Sequence, residues 1–284
     1  MLTLDKLPKA TTLGDGLRLI GAEPHIADAW VKVNRAVLQS ALHHCKKITL
    51  DIDATEIIAS KADTQWTCNK NKGFMPMLGH IAEAGQVVAV DFREGNTSPA
   101  KGNLEFIKQC QRSLPEDCTV NALRIDAAGY QTNIIRYCDD NAIEYAIRAK
   151  TNATMRAQIA VIEETGCEQL LDNQGNVVSG QDNYRTSYCL GNYERPFTQI
   201  FQRKAINGQA ALDLAAANDA EEISVGGYVY RAVATNRDPL SNSEILHWYN
   251  QRTEDSKNRI KELKLDFGGD TLPSQTITQM HCTF

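Results

Sequence analysis

The stretch Ile48-Thr49-Leu50-Asp51-Ile52-Asp53-Ala54-Thr55 constrains this chain more than any other. Side chains alternate across a strand, so Thr49, Asp51, Asp53 and Thr55 share one face while Ile48, Leu50 and Ile52 share the other. The apolar flank belongs to a core, yet the opposite face carries two carboxylates. Two like charges about 4 Å apart repel by roughly 4 kcal/mol at an effective dielectric near 20. A water-facing strand side relieves that repulsion, and so does a bound divalent cation. For this stretch alone both solutions stand open.

A second acid-tipped strand settles the direction of the reading. Residues 119–126 (TVNALRID) form a strand that ends in Asp126, and Ala127-Ala128-Gly129 turns the chain after it. Further strands are expected at 57–59, 85–92 and 143–148. Helices are expected at 103–114, ending before Pro115, and at 130–138. Upstream, Ile26, Trp30, Val33, Val37 and Ala41 recur at helical spacing, which predicts a helix that packs this stripe into the core. Residues 1–22, broken by Gly14, Gly16 and Gly21, read as loosely organised helix and loop. The order of elements predicts an α/β core, a mixed sheet with helices on its faces. Ligand crevices form at the carboxyl edges of strands in such sheets, where Asp126 falls.

The composition changes after residue 150. A helix at 153–164 gives way to strand-like pieces at 168–171, 184–190, 197–203 and 227–235, separated by turns such as Asn173-Gln174-Gly175-Asn176. The core still lacks its last helix at that point, so this β-rich segment reads as an insertion. The missing helix begins after Pro239, where Ser241-Asn242-Ser243-Glu244 forms a capping box with Ser241 as N-cap. It continues to about Lys264, and Gly268 and Gly269 stop it. The expected organisation is a helical N-terminal segment (1–47), the first part of the core (48–150), the insertion (151–236), the closing helix (237–272) and an irregular tail (273–284).

Charge and cysteine usage bound the function. The net charge of −5 excludes a surface that is basic all over, so contacts to nucleic acid must be local. The eight cysteines are scattered without a C-x-x-C pair and read as reduced thiols of a cytoplasmic protein. His43 and His44 are adjacent rather than helically spaced, so they do not read as zinc ligands. The sequence has no signal-peptide core and no apolar run long enough to span a membrane. Lys70 and Lys72, in the polar stretch 60–73 with Trp66, read as a solvated loop with some capacity for phosphate.

Acids at the ends of Asp53 and Asp126 strands, with a charged helix after a β insertion, suit phosphoryl transfer on two metal ions. LDIDATE, the Gly73-Phe74-Met75-Pro76 turn, FREGN (92–96), RIDAAGYQ (124–131) and YNQRTEDSKNRIKELKLDFGGD (249–270) resemble the DDE transposases of bacterial insertion sequences. The nearest branch has an RNase H-like core with a β-rich insertion before the last helix. The resemblance covers roughly residues 48–272 and implies DNA transposition by metal-dependent cleavage and strand transfer, with Mg²⁺ or Mn²⁺ as cofactor. It implies transposon ends and target DNA as partners, and a homodimer as the usual assembly. Asp53, followed by Ala54-Thr55, matches the first metal-binding aspartate, with Asp51 as the competing choice, and Asp126 matches the second. Tyr249, Arg252 and Lys264 match the family's helix signature; these and Lys261 are expected to contact DNA phosphates.

The third acid departs from the family. Its spacing from Lys264 falls on Lys257, and its spacing from Arg252 falls on Ser256. Glu254, one turn before Lys257, is the remaining choice as third catalytic acid, and it reads equally as an ion-pair partner of Lys257. The chain also shows only 47 residues before its first Asp strand and a tail unlike the family's. Two expectations follow: an active transposase core using Glu254, or a defective remnant that only binds DNA or protein because Lys257 replaces the acid.

Overall fold

The computed structural model describes residues 9–23, 25–206 and 222–265. Its elements gather into two compact units. Of the described residues, one comprises those up to Lys47, then Asp53–Thr119, and Ser256 to Leu265; the other comprises Ile48–Ile52 and those between Val120 and Asp255.

In the first unit, α1 (Ala10–Ala22) is a continuous helix despite its three glycines, each of which costs about 1 kcal/mol against alanine. Over residues 10–22 it stands where a mixture of helix and loop was expected, and residues 1–8 of that stretch lie outside the described residues. The next helix, α2 (Ile26–Ala41), corrects a second expectation. Trp30, Val33 and Val37 are 46–56% exposed, whereas Leu38 and Leu42 are buried. The helix is held by a different face, on which Asn34 Nδ2 donates to the Val88 carbonyl at 2.6 Å and Arg35 Nη2 to the Arg112 carbonyl at 2.5 Å. Helical spacing marked an apolar stripe correctly, but the neighbours lie on the other side.

Strand β1 (Lys47–Ala54) follows, with Lys47, Asp53 and Ala54 in this unit. Then come three short strands, β2 (Ile57–Ile58), β3 (Gln65–Trp66) and β4 (Lys72–Phe74), which form a separate antiparallel sheet in the order β2-β4-β3. Only glycine fits the centre of that sheet, because a Cβ at Gly73 would lie 2.1 Å from the Ile57 carbonyl oxygen. Ile57 and Phe74 pack with Phe92 beneath it. The expected strand at 85–92 is β6 (Val87–Asp91), and it pairs with β5 (Met77–Ile81), which was not among the expected strands, from Met77↔Asp91 to His80↔Val87. Its sequence, MLGHI, is buried throughout and therefore lacks the alternation that would have marked it. Helix α3 (Asn103–Ser113) packs on β6 and α2 through Phe106, Ile107 and Cys110.

The second unit is a mixed sheet. Ile48–Ile52 of β1 neighbours β7 (Thr119–Ile125), which pairs in parallel with β8 (Glu144–Arg148) through Ala122↔Glu144 to Ile125↔Ile147. Between these strands runs α4 (Thr132–Asp140), burying Ile134, Ile135 and Cys138. After α5 (Ala153–Ile159), shorter than expected, come β9 (Glu168–Leu171), β10 (Val177–Tyr188), β11 (Phe197–Ala205), β12 (Ile223–Val225) and β13 (Tyr228–Thr235). The β-rich segment continues the sheet rather than standing apart from it: β13 pairs antiparallel with β8 through Val233↔Arg148 to Thr235↔Ala146, and β11, β10 and β9 extend outward in turn.

The closing helix α6 (Asn242–Leu265) begins on the expected capping box. Ser241 Oγ accepts from the Glu244 backbone N–H at 3.3 Å, while Glu244 Oε2 accepts from the Ser241 N–H at 2.9 Å. Ile245, Leu246 and Tyr249 of its first half pack on Ala146, Leu170, Ile200 and Val233 of the sheet. The architecture is the mixed α/β class expected from the sequence. No helix among the described residues is long and apolar enough to cross a membrane.

Candidate active site

In the first unit, Asp53 lines a cavity of about 490 Å³ together with Thr55, Ile260, Lys261 and Lys264. Strand β1 delivers the acid at its carboxyl end and the last turns of α6 deliver the lysines, which stand at i and i+3 and so share a helix face. Lys261 is exposed and Lys264 half-buried. Lys264 Nζ donates to the backbone carbonyl of Glu56 at 2.7 Å, which aims its stem along the cavity wall.

Glu56 itself is clamped by the turn between β3 and β4. Its carboxylate accepts from the Thr67 hydroxyl and from the side-chain amides of Asn69 and Asn71, each amide at 3.2 Å. Partial burial opposes its ionisation, but the three donors, with Lys264 nearby, outweigh burial and hold the carboxyl below its ordinary range. A depressed folded-state value means that the clamp stabilises the turn above the unfolded carboxyl pKa of about 4.3 and loses that contribution as pH falls through the lowered value. Glu56→Gln is therefore expected to narrow the gap between melting temperatures at neutral and strongly acid pH. Equal gaps in the two proteins, measured by circular dichroism, would count against the clamp.

In the second unit, the structure gives Asp51 a partner that the sequence reading did not weigh. Arg124 Nε donates to Asp51 Oδ1 at 2.6 Å and Arg124 Nη2 to Asp51 Oδ2 at 2.7 Å. Both side chains are essentially inaccessible, at 0% and 1% exposure. Arg124 Nη1 also donates to the Trp248 carbonyl at 2.6 Å and approaches Gln251 Oε1 at 3.4 Å. The repulsion expected on the strand face is thus answered at Asp51 by a buried bidentate arginine, and Asp51 is committed inside the core.

Asp126 stands at the end of β7, partly exposed, where its Oδ1 caps the Ala127–Gly129 turn by accepting from the Ala128 N–H at 2.9 Å. Near it, Tyr249 is buried, and its hydroxyl is pushed up by that burial, drawn down by Arg252 and Arg148, and pushed up again by Asp126. Arg252 lies 5.8 Å from the Tyr249 ring centroid and is itself buried. The second unit therefore brings together Asp126, Arg148, Tyr249 and Arg252. Tyr249 and Arg252, expected as DNA contacts, form part of the packed interior around the acid, whereas Lys261 and Lys264 line an open cavity.

Arg148 escaped the sequence reading. It ends β8, the strand parallel to β7, one position beyond the Ile125↔Ile147 pair, and so stands at the same carboxyl edge as Asp126. The signal was available in the strand 143–148, which ends in a cation where the neighbouring strand ends in an acid. Glu254 and Lys257 belong to α6, but their side chains lie outside the described residues.

The donor chemistry suits a hard divalent cation in part. Asp53 and Asp126 offer carboxylate oxygens, the ligands Mg²⁺ takes while keeping several waters. Among the described residues no group of three His, Cys, Asp or Glu side chains assembles as a metal cage.

The family model described as transposase DDE domain group 1 matches residues 18–283. Among solved structures, a piggyBac transposase in a synaptic complex with hairpin DNA is similar at a TM-score of 0.46 and 9% identity, over 92% of this chain and 55% of that one. The chain thus spans about half the length of that transposase. No curated protein matches the chain.

Proposed function

Since this chain belongs to the transposase DDE domain family, with a family match over residues 18–283, we propose that it acts on DNA phosphodiester bonds in transposition, with Asp53 and Asp126 as metal-binding acids. The observation that carries the reading is the cavity that pairs the strand-end acid Asp53 with Lys261 and Lys264 of α6. A lone carboxylate would repel a DNA phosphate; two lysines on the same wall make the cavity receptive to one. Lys264, tied to the Glu56 carbonyl, holds a fixed position, and exposed Lys261 adapts to the phosphate. In the second unit, Arg252, Arg148 and Asp126 all act on the Tyr249 hydroxyl, so the two arginines share that acid's neighbourhood, Arg148 with Glu222 as ion-pair partner at 3.8 Å. When bound, divalent ions activate the attacking oxygen and stabilise the leaving one.

A second reading has its own support, in Lys257 standing where the family spacing expects the third acid. A cation there lowers the affinity for a metal and supplies no ligand. On this reading the protein binds DNA and has lost the cleavage step. The two readings separate in one assay of Mn²⁺-dependent nicking on supercoiled DNA, comparing the unmodified protein with Lys257→Glu. Nicking by both proteins supports an active core. Nicking by Lys257→Glu alone, at least about a hundredfold above the unmodified protein, supports the defective one. If neither protein nicks or binds DNA, the proposal fails.

A further inference from the structure

The three-stranded sheet of the first unit carries a feature that the cavity does not use. Trp66, on the edge strand β3, is 62% exposed. Its cross-strand partner is Lys72, whose Nζ stands 5.6 Å from the ring centroid. Lys70, at the turn between the two strands, adopts a left-handed backbone with φ 63°, which a non-glycine residue enters at a cost. The turn is therefore specifically shaped, and its Thr67, Asn69 and Asn71 side chains close on Glu56.

Glu56 links this sheet to the candidate active site. Its carboxylate is held by the turn, and its carbonyl receives Lys264, which lines the cavity with Asp53. Within one unit, Trp66 adjoins Thr67, Thr67 bonds Glu56, and Glu56 holds Lys264, which lines the same cavity as Asp53. The Glu56 carboxylate takes three donors from the turn, which fixes the base on which the exposed Lys70 and Lys72 stand. An indole with a cation beside it, on a hairpin tied through Glu56 to a lysine of the Asp53 cavity, has the composition of a stacking platform: the ring takes a base and the ammonium takes its phosphate.

We infer that Trp66, with Lys72, stacks an unpaired nucleotide of the DNA strand that enters the Asp53 cavity. A paired base keeps its faces inside the duplex, so the exposed indole selects a frayed or single-stranded position. This inference rests on the reading of DNA as the partner, and its test keeps the two apart.

The test measures anisotropy of labelled DNA in EDTA, which blocks cleavage, with a blunt duplex and the same duplex carrying a single-stranded tail. The unmodified protein is expected to bind the tailed DNA more tightly and to show quenched tryptophan emission on binding. Trp66→Ala is expected to lose about ten- to a hundredfold on the tailed DNA while changing little on the blunt one. Trp66→Tyr, which keeps a ring, is expected to retain most of the affinity. Because Trp66 is largely exposed, the alanine protein should melt at the unmodified temperature; should it melt lower, the comparison between Trp66→Tyr and Trp66→Leu takes its place. Equal losses on both DNAs, or no loss on the tailed DNA, would overturn the inference. Failure of the unmodified protein to bind either DNA would overturn the proposed function as well.

Discussion

Arg124→Ala is expected to destabilise the second unit by about 3–5 kcal/mol, the range for breaking a buried ion pair from one side. The pair itself contributes far less than this, since desolvating two charges offsets most of their attraction. Removing one partner leaves Asp51, at 0% exposure, charged and without the bidentate fork that satisfies it. The same substitution frees the Trp248 carbonyl and removes the cation lying 5.5 Å from the Trp248 ring, so the first half of α6 loses a tie to the sheet. The urea midpoint of unfolding measures the loss. A double replacement, Asp51→Leu with Arg124→Met, is expected to recover much of it, because an apolar pair of similar volume avoids the desolvation cost. A loss below about 1 kcal/mol in Arg124→Ala would show that the pair is not buried in solution.

The second large effect separates the acids. In the Lys257→Glu protein, Asp53→Asn and Asp126→Asn are each expected to reduce Mn²⁺-dependent cleavage by at least about a hundredfold while leaving the melting temperature near that of the parent. Both side chains are partly exposed, and asparagine preserves their shape while removing the charge that a metal needs. Asp51→Asn is expected to show the opposite pattern, a lowered melting temperature first and a loss of cleavage only through it. Cleavage that survives Asp126→Asn would remove Asp126 from the proposed metal set. A melting temperature unaffected by Asp51→Asn would undo the division between a structural and a functional aspartate on β1.

That division shows how far local pattern reaches. Alternation along residues 48–55 identified a strand whose acids share a face, and the strand is there. Alternation could not say what each acid meets. Asp51 meets a guanidinium 73 residues away in the chain, and Asp53 opens into a cavity walled by a helix more than two hundred residues on. Trp30, Val33 and Val37 teach the same lesson from the other side. Their spacing describes an apolar stripe faithfully, yet the stripe is exposed, because burial depends on which face the neighbouring helix and strand occupy.

By itself, the sequence determined the elements whose causes are local: the capping box at Ser241, the turn after Asp126, the α/β order of the core and the β-rich character of the segment after residue 150. Family-like motifs on those elements were enough to point at transposition. Only the tertiary structure decided the pairing of Asp51 with Arg124, the place of Arg148 beside Asp126, the burial of Tyr249 and Arg252, and the clamp that ties the Trp66 hairpin to Lys264 through Glu56. The reason is that backbone periodicity and capping are satisfied within a few residues, whereas desolvation and charge pairing are decided by partners that distant parts of the chain bring into contact.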